Sequence, residues 1–164
     1  MNDWQIRLHG VSGGEISFVL SELARVICGH ARREPRIGAE DGSLSTVHLS
    51  VRNDGVPENG YRIKVETPAS GMQHVFIEGD SPISLGYGVM DFCHRYLPRA
   101  AISGTVANPY YYRKLFSDDF LPPAQYAGAP RILHRGLWTW GLAVYDWRGY
   151  LENMVRLRLN EVIF

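Results

Sequence analysis

At 164 residues the chain has room for one domain and part of a second. It is 45% hydrophobic and 21% charged, the balance of a globular protein able to bury a core. Its 17 lysines and arginines match 17 aspartates and glutamates, which excludes the basic footprint of a nucleic-acid partner. No apolar run approaches the roughly 18 residues of a membrane span, so no membrane partner is expected. The first ten residues, MNDWQIRLHG, lack a charged lead followed by an apolar run and do not read as a signal peptide. As written, the chain is expected to be cytoplasmic; a trimmed start would leave a secreted or periplasmic location open. Cys28 and Cys93 lie in apolar, helical-looking stretches and read as buried free thiols, with a disulfide between them left open.

Trp4 to Leu8 reads as a short strand, and Gly10, Gly13 and Gly14 supply the turn after it. The Gly13-Gly14 pair before a helix faintly suggests an anion site, but a plain turn is the stronger reading. From Glu15 to Ala31, Ile16, Val19, Leu20, Leu23, Val26 and Ile27 fall at three- and four-residue spacings, one apolar face of a helix. Arg32, Arg33 and Pro35 close it. Three strands follow, around Val47, Leu49 and Val51, then Tyr61, Ile63 and Val65, then Val75 and Ile77. The turn residues Asn53-Asp54-Gly55 and Glu58-Asn59-Gly60 predict an antiparallel hairpin between the first two.

Ser81 and Pro82 suit the N-cap and first position of a second helix, whose apolar stripe is Leu85, Val89, Phe92 and Tyr96. Gly86 and Gly88 each cost about 1 kcal/mol in a helix relative to alanine, which predicts that they serve close packing on the sheet. Five of the nine prolines fall between Pro98 and Pro130, with Tyr110-Tyr111-Tyr112 among them, as in an extended connector. Beyond it, Ile132 to Trp140 reads as a strand, Asp146 to Arg158 as a helix with Tyr150, Met154 and Leu157 on one side, and Glu161 to Phe164 as a strand. Strand, crossover helix and strand make a parallel βαβ unit. Stopping on apolar residues in mid-strand, the sequence reads as cut short.

Three segments together resemble the family 20 glycoside hydrolases, the β-N-acetylhexosaminidases, and their relatives the α-glucuronidases. Val75-Phe76-Ile77-Glu78-Gly79, leading through Leu85-Gly86-Tyr87-Gly88 into a helix, is similar to the last strand and helix of those enzymes' non-catalytic α/β domain. Pro130-Arg131-Ile132-Leu133-His134-Arg135-Gly136-Leu137 is similar to the Pro-Arg-Phe-x-x-Arg-Gly stretch that leads into their catalytic barrel. Leu159-Asn160 is placed like the Leu-Asn that opens their second barrel strand. Order and spacing agree over roughly the last 90 residues. Where the family continues from Arg-Gly with an Asp and an Arg-His pair, this chain has Leu137-Trp138-Thr139-Trp140-Gly141-Leu142-Ala143-Val144, which leaves a related sugar such as a uronic acid open.

The fold this implies is α+β: a mainly antiparallel sheet with two helices on it, then the first βαβ of an incomplete (β/α)8 barrel. Residues 1–100 form the accessory domain, 101–130 the Pro/Tyr-rich connector and 131–164 the start of the catalytic barrel. The family's catalytic Asp-Glu pair lies at the end of the fourth barrel strand, so no catalytic residue is expected in this chain. Asp118-Asp119 sit in the connector and read as a solvated turn.

Substrate-binding candidates are Arg135 and Trp140. By resemblance Arg135 matches the arginine that hydrogen-bonds the bound sugar's hydroxyls, and a forked guanidinium suits vicinal hydroxyls. Pairing with a carboxylate is the alternative. Strand alternation puts Trp138 and Trp140 on one side, opposite Thr139; with Trp147 they are candidates for a sugar-stacking platform or for core. The six histidines never fall three to five residues apart, so neither a metal nor a cofactor is expected. The expected function is the non-catalytic portion of a glycoside hydrolase whose partner is a carbohydrate substrate. The alternative is a carbohydrate-binding or protein-interaction module.

Overall fold

The computed structural model describes residues 3–31, 33–38, 40–96, 121, 123–139 and 143–163. Strands β1 (Trp4–His9), β2 (Arg36–Ile37), β3 (Ser45–Val51), β4 (Tyr61–Glu66), β5 (His74–Gly79) and β6 (Ala124–Gly128) form one sheet in the order β2-β1-β3-β5-β4-β6. Helices α1 (Ser17–Ala31) and α2 (Pro82–Tyr96) pack together beside it. Alternation decides which strand face they cover. Ile6, Val47, Leu49, Ile63, Val75 and Ile77 are fully buried and share one cluster with Leu23, Val26 and Ile27 of α1 and Leu85, Val89 and Phe92 of α2.

The sheet is mixed, not mainly antiparallel. β2, β1, β3 and β5 run parallel to one another, while β4 is antiparallel to both β5 and β6. The helix between β1 and β3 carries the chain back to its starting end, and a returning chain pairs parallel. The predicted hairpin between β3 and β4 does not form, because β5 lies between them. Turn residues at 53–60 do reverse the chain, with Gly55 and Asn59 at positive φ, but a reversal does not specify which strand becomes the neighbour.

Two glycines set how closely α2 approaches. A Cβ on Gly79, the last residue of β5, would lie 2.2 Å from the Leu85 backbone nitrogen. A Cβ on Gly88 would meet Ile77 Cγ2 at 2.9 Å and Tyr61 Cβ at 3.0 Å. Gly88 therefore packs on the sheet as its placement suggested, whereas Gly86 faces Val19 of α1, 3.2 Å from where its Cβ would stand.

The proline-rich stretch holds a strand that its composition conceals. β6 pairs with β4 in register Ile63 to Tyr126, and Tyr126 packs against the core. Leu121 is buried just ahead of it, fastened by Gln73, whose Oε1 accepts from Leu121 N at 2.8 Å and whose Nε2 donates to Leu121 O at 2.7 Å. Tyr110-Tyr111-Tyr112 and Asp118-Asp119 lie outside the described residues.

A second, two-stranded parallel sheet joins β7 (Gly136–Trp138) to β8 (Glu161–Ile163) through helix α3 (Trp147–Arg156), a βαβ unit. The strand predicted from Ile132 begins only at Gly136, and Ile132 and Leu133 are exposed. Asp146 caps α3 by accepting from Gly149 N at 2.9 Å. The unit docks on the first layer through Val155 and through Arg156, which donates to both oxygens of Glu22 at 3.2 Å and lies over the Phe18 ring. Burial alone would raise the Glu22 carboxyl, but the bonds from Arg156 and Arg25 outweigh it and hold the group below its usual range.

The opposite sheet face carries polar side chains. His9, His48 and His74 form a ladder diagonally across β1, β3 and β5, with Nε2 to Nδ1 separations of 3.2 Å at both steps, and His48 stacks on Phe76 at 4.6 Å. Burial, followed by the neighbouring His74, His9 and Arg7, pushes the His48 imidazole down to about 4. Farther along, Glu78 accepts from Arg52 Nη1 at 3.0 Å and from Arg62 Nε at 2.6 Å.

Gly79→Ala is expected to cost about 3 kcal/mol or more, because backbone must move, whereas Gly38→Ala should cost only about 1–2 kcal/mol, since its positive φ is strained but nothing lies within 4 Å. Equal urea midpoints for the two variants would refute the close approach. His48 is neutral when folded and takes up a proton at its ordinary 6.5 when unfolded, so stability should fall as pH drops from 6.5 towards 4. Glu22, with a depressed carboxyl, contributes loss only below its ordinary 4.5, so the two windows separate. Urea unfolding between about pH 7 and 4.5 should show a shallower decline in His48→Gln; an unchanged slope would reject the assignment.

Candidate functional site

Arg135 lies where the βαβ unit meets the sheet. Its neighbours follow from three local structures. Tyr61 begins β4 and points inward, reaching β6 at Gly128, where a Cβ would stand 2.6 Å from the Tyr61 hydroxyl oxygen. Tyr87 and Asp91 lie one turn apart on α2 and so share a face. Arg158 follows the end of α3 and stands at φ +60. There Arg158 N donates to Val155 O at 3.0 Å and Leu159 N to Met154 O at 2.8 Å, the paired bonds of a helix stop in which glycine is the usual left-handed residue.

Arg135, Tyr61, Tyr87, Gly128 and Arg158, with Ala129, Pro130 and Leu157, line a cleft of about 300 Å³. Asp91, behind it, accepts from Arg95 Nε at 2.9 Å and is 3.7 Å from Arg158 Nη1. Burial pushes the Tyr61 phenol up to about 12, Asp91 adds to the rise, and Arg158 opposes it. At neutral pH this hydroxyl keeps its proton.

The Arg135 fork is largely engaged. Nε donates to Arg158 O at 2.8 Å, Nη1 to Ile132 O and to Leu133 O at 3.1 Å, and Nη2 to the Tyr87 hydroxyl at 3.1 Å. The guanidinium also lies 5.3 Å from the Tyr87 ring centre. Of five N–H donors, one on Nη2 remains. No carboxylate contacts this arginine among the described residues.

Asn160 braces the segment. Its Oδ1 accepts from Arg135 N at 2.8 Å, its Nδ2 donates to Leu133 O at 2.7 Å, and its backbone N donates to Arg135 O at 2.8 Å. The Arg-Gly and Leu-Asn segments, 25 positions apart in sequence at Arg135 and Asn160, are thus one hydrogen-bonded unit.

Trp140 lies outside the described residues. Trp138 on β7 and Trp147 at the start of α3 are 56% and 41% exposed and do not line the cleft. Gly13-Gly14 forms a turn that Ser12 and Glu15 close by reciprocal bonds, Ser12 N to Glu15 Oε2 at 2.9 Å and Glu15 N to Ser12 Oγ at 3.3 Å. Cys28 and Cys93 are free thiols, and burial pushes Cys93 up to about 12, which leaves it unreactive at neutral pH.

Sequence reasoning singled out Arg135 and missed Tyr61, Tyr87, Asp91 and Arg158. The inward alternation of β4 and the four-residue spacing of Tyr87 and Asp91 were the available signals. Chemically, the cleft can bind a small polar molecule. Its described lining residues include no carboxylate.

Among solved structures the chain resembles a mutant Streptomyces plicatus beta-hexosaminidase in complex with its product GlcNAc, at 17% identity and a TM-score of 0.60, over 95% of this chain and 29% of that one. It also resembles a GH138 enzyme targeting pectin rhamnogalacturonan II, at 17% identity and a TM-score of 0.57, over 98% of this chain and 23% of that one. The chain thus shares the fold of part of these glycoside hydrolases and spans less than a third of their length. No family model matches the sequence, and no curated protein matches it.

Arg135→Ala removes four hydrogen bonds that join the βαβ unit to itself and to α2, at a net cost of about 2 kcal/mol or more. Arg135→Lys is expected to recover less than half, since a point charge cannot reproduce the fork. Limited proteolysis should cut within residues 131–163 sooner in both variants; wild-type protection in the alanine variant would contradict the brace.

Proposed function

We propose that this chain is the non-catalytic N-terminal portion of a glycoside hydrolase of the hexosaminidase or α-glucuronidase kind. In this reading the six-stranded sheet and its helices are the accessory α+β domain, residues 1–100 with β6 as a later edge strand. The stretch within 101–130 connects, and β7-α3-β8 opens a (β/α)8 barrel that the parent completes. The observation that carries it is the match of nearly the whole chain, across both sheets, to two different glycoside hydrolases. The Arg135–Asn160 unit supports it, because it unites the two segments whose order carried the sequence resemblance. Carbohydrate is the partner, with Arg135 and Trp140 as the contacts offered by this portion.

In a barrel of about 250 residues the reacting groups come from loops after all eight strands, and this chain contributes the first of them. The 164-residue chain should therefore be silent on a panel of aryl glycosides that includes N-acetylglucosaminide and glucuronide. In a complete parent, Arg135→Ala should lower kcat/KM by ten- to a hundredfold, the order expected from losing one or two bonds of about 1.5 kcal/mol. Turnover by the 164-residue chain that vanishes when one of its own residues is replaced would overturn the proposal. So would a parent variant whose melting point falls while kcat/KM holds.

The exposed Trp138, Tyr145 and Trp147 favour a second reading, a module that binds another protein through this aromatic surface. Pull-down of a defined partner that is lost in Trp138→Ser, with no carbohydrate bound, would put that reading first.

A further inference from the structure

Two guanidinium groups, of Arg135 and Arg158, line the cleft, and no carboxylate is among its described lining residues. Asp91 serves Arg95 at 2.9 Å and reaches Arg158 only at 3.7 Å, while Arg135 meets neutral acceptors alone. Among the described residues around the cleft, positive charge is left uncompensated. Donors remain as well. Arg135 keeps one Nη2 hydrogen, and Tyr87, which accepts from Arg135, keeps its own O–H to give. Arg158 is 45% exposed at its side chain and presents a guanidinium of which Asp91 holds one edge.

The backbone adds an independent observation. Arg158 occupies a left-handed position where glycine is unstrained. Its carbonyl accepts from Arg135 Nε, so the strained residue aligns the second guanidinium with the first. Ala129, Pro130 and Leu157 supply an apolar wall for a carbon skeleton, and about 300 Å³ suits a molecule of monosaccharide size or smaller.

We propose that this cleft binds a small carboxylate, held between Arg135 and Arg158 with the Tyr87 hydroxyl as a further donor. Planar guanidinium groups match the two oxygens of a carboxylate, and its charge offsets the local excess. Arg158 is the residue that selects for the acid. The inference rests on the carbohydrate reading only in taking the cleft as a contact surface, since the carboxylate can be that of an acidic sugar or of a simple acid.

The test is titration of the 164-residue chain at low salt with acetate, glucuronate, glucose and N-acetylglucosamine, followed by amide shifts and calorimetry. Glucuronate, acetate or both should bind in the millimolar range, at least about tenfold more tightly than either neutral sugar, and should weaken with salt. Arg158→Gly and Arg158→Gln should both abolish the preference; both lose the Asp91 pair, and the glycine variant should melt higher than the glutamine one, because only glycine relieves the left-handed backbone. Binding of glucuronate alone identifies a sugar acid, and equal binding of acetate identifies the carboxylate as sufficient. Neutral sugars that bind as well as the acids, indifferent to Arg158→Gly, would overturn the carboxylate inference and leave the carbohydrate reading standing. Acids bound with no neutral sugar would support it apart from that reading. No binding by any of the four would sink the inference and count against the cleft as a sugar contact.

Discussion

Helix α2 lies directly on β4 and β5 because Gly79 and Gly88 put no side chain between them, and the rest of the structure is placed from that contact. The same helix sends Leu85, Val89 and Phe92 into the core, meets α1 where Gly86 faces Val19, and presents Tyr87 and Asp91 towards the βαβ unit. A methyl group at Gly79 cannot be absorbed by a rotamer change, since it would strike backbone. The approach is therefore all-or-nothing, and every feature on α2 inherits it.

Charge then decides how the second sheet docks. Most ion pairs here are exposed and contribute little. Glu22, Glu78 and Asp91 differ: their side chains are 10%, 10% and 8% exposed, and each pairs with two arginines. Removing such a partner leaves a buried carboxylate uncompensated, a larger penalty than any surface pair can carry. Arg156 and Arg158, at the end of α3, are the partners that come from the βαβ unit. One helix end thus makes both ionic attachments, and the cleft forms at the seam they close.

The location of the cleft bears on its role. It lies at a junction between two layers of structure, lined from β4, α2 and β6 and from the loops just before β7 and just after α3, where small-molecule sites commonly occur. Arg135, Arg158 and the Tyr87 hydroxyl give it donors and positive charge. The chain shares the fold of part of two glycoside hydrolases and spans under a third of their length.

The local elements are written in the amino-acid order. The 3.6-residue stripe of α1, the two-residue alternation of β3, β4 and β5, Ser81-Pro82 at the start of α2 and the strand-helix-strand rhythm of the tail are properties of short windows, and each was legible there. Arg135 was singled out by resemblance, through its place beside Gly136. Which strands became neighbours was settled only in three dimensions: β5 displaced the expected hairpin by inserting between β3 and β4, and β6 joined from a stretch whose prolines conceal a strand. Folding also aligned three histidines 39 and 26 residues apart into a ladder, and brought Tyr61, Tyr87 and Arg158 around Arg135. The physical reason is range. Periodicity and turn chemistry report what each segment buries, whereas pairing and site assembly depend on contacts between segments that no local window contains.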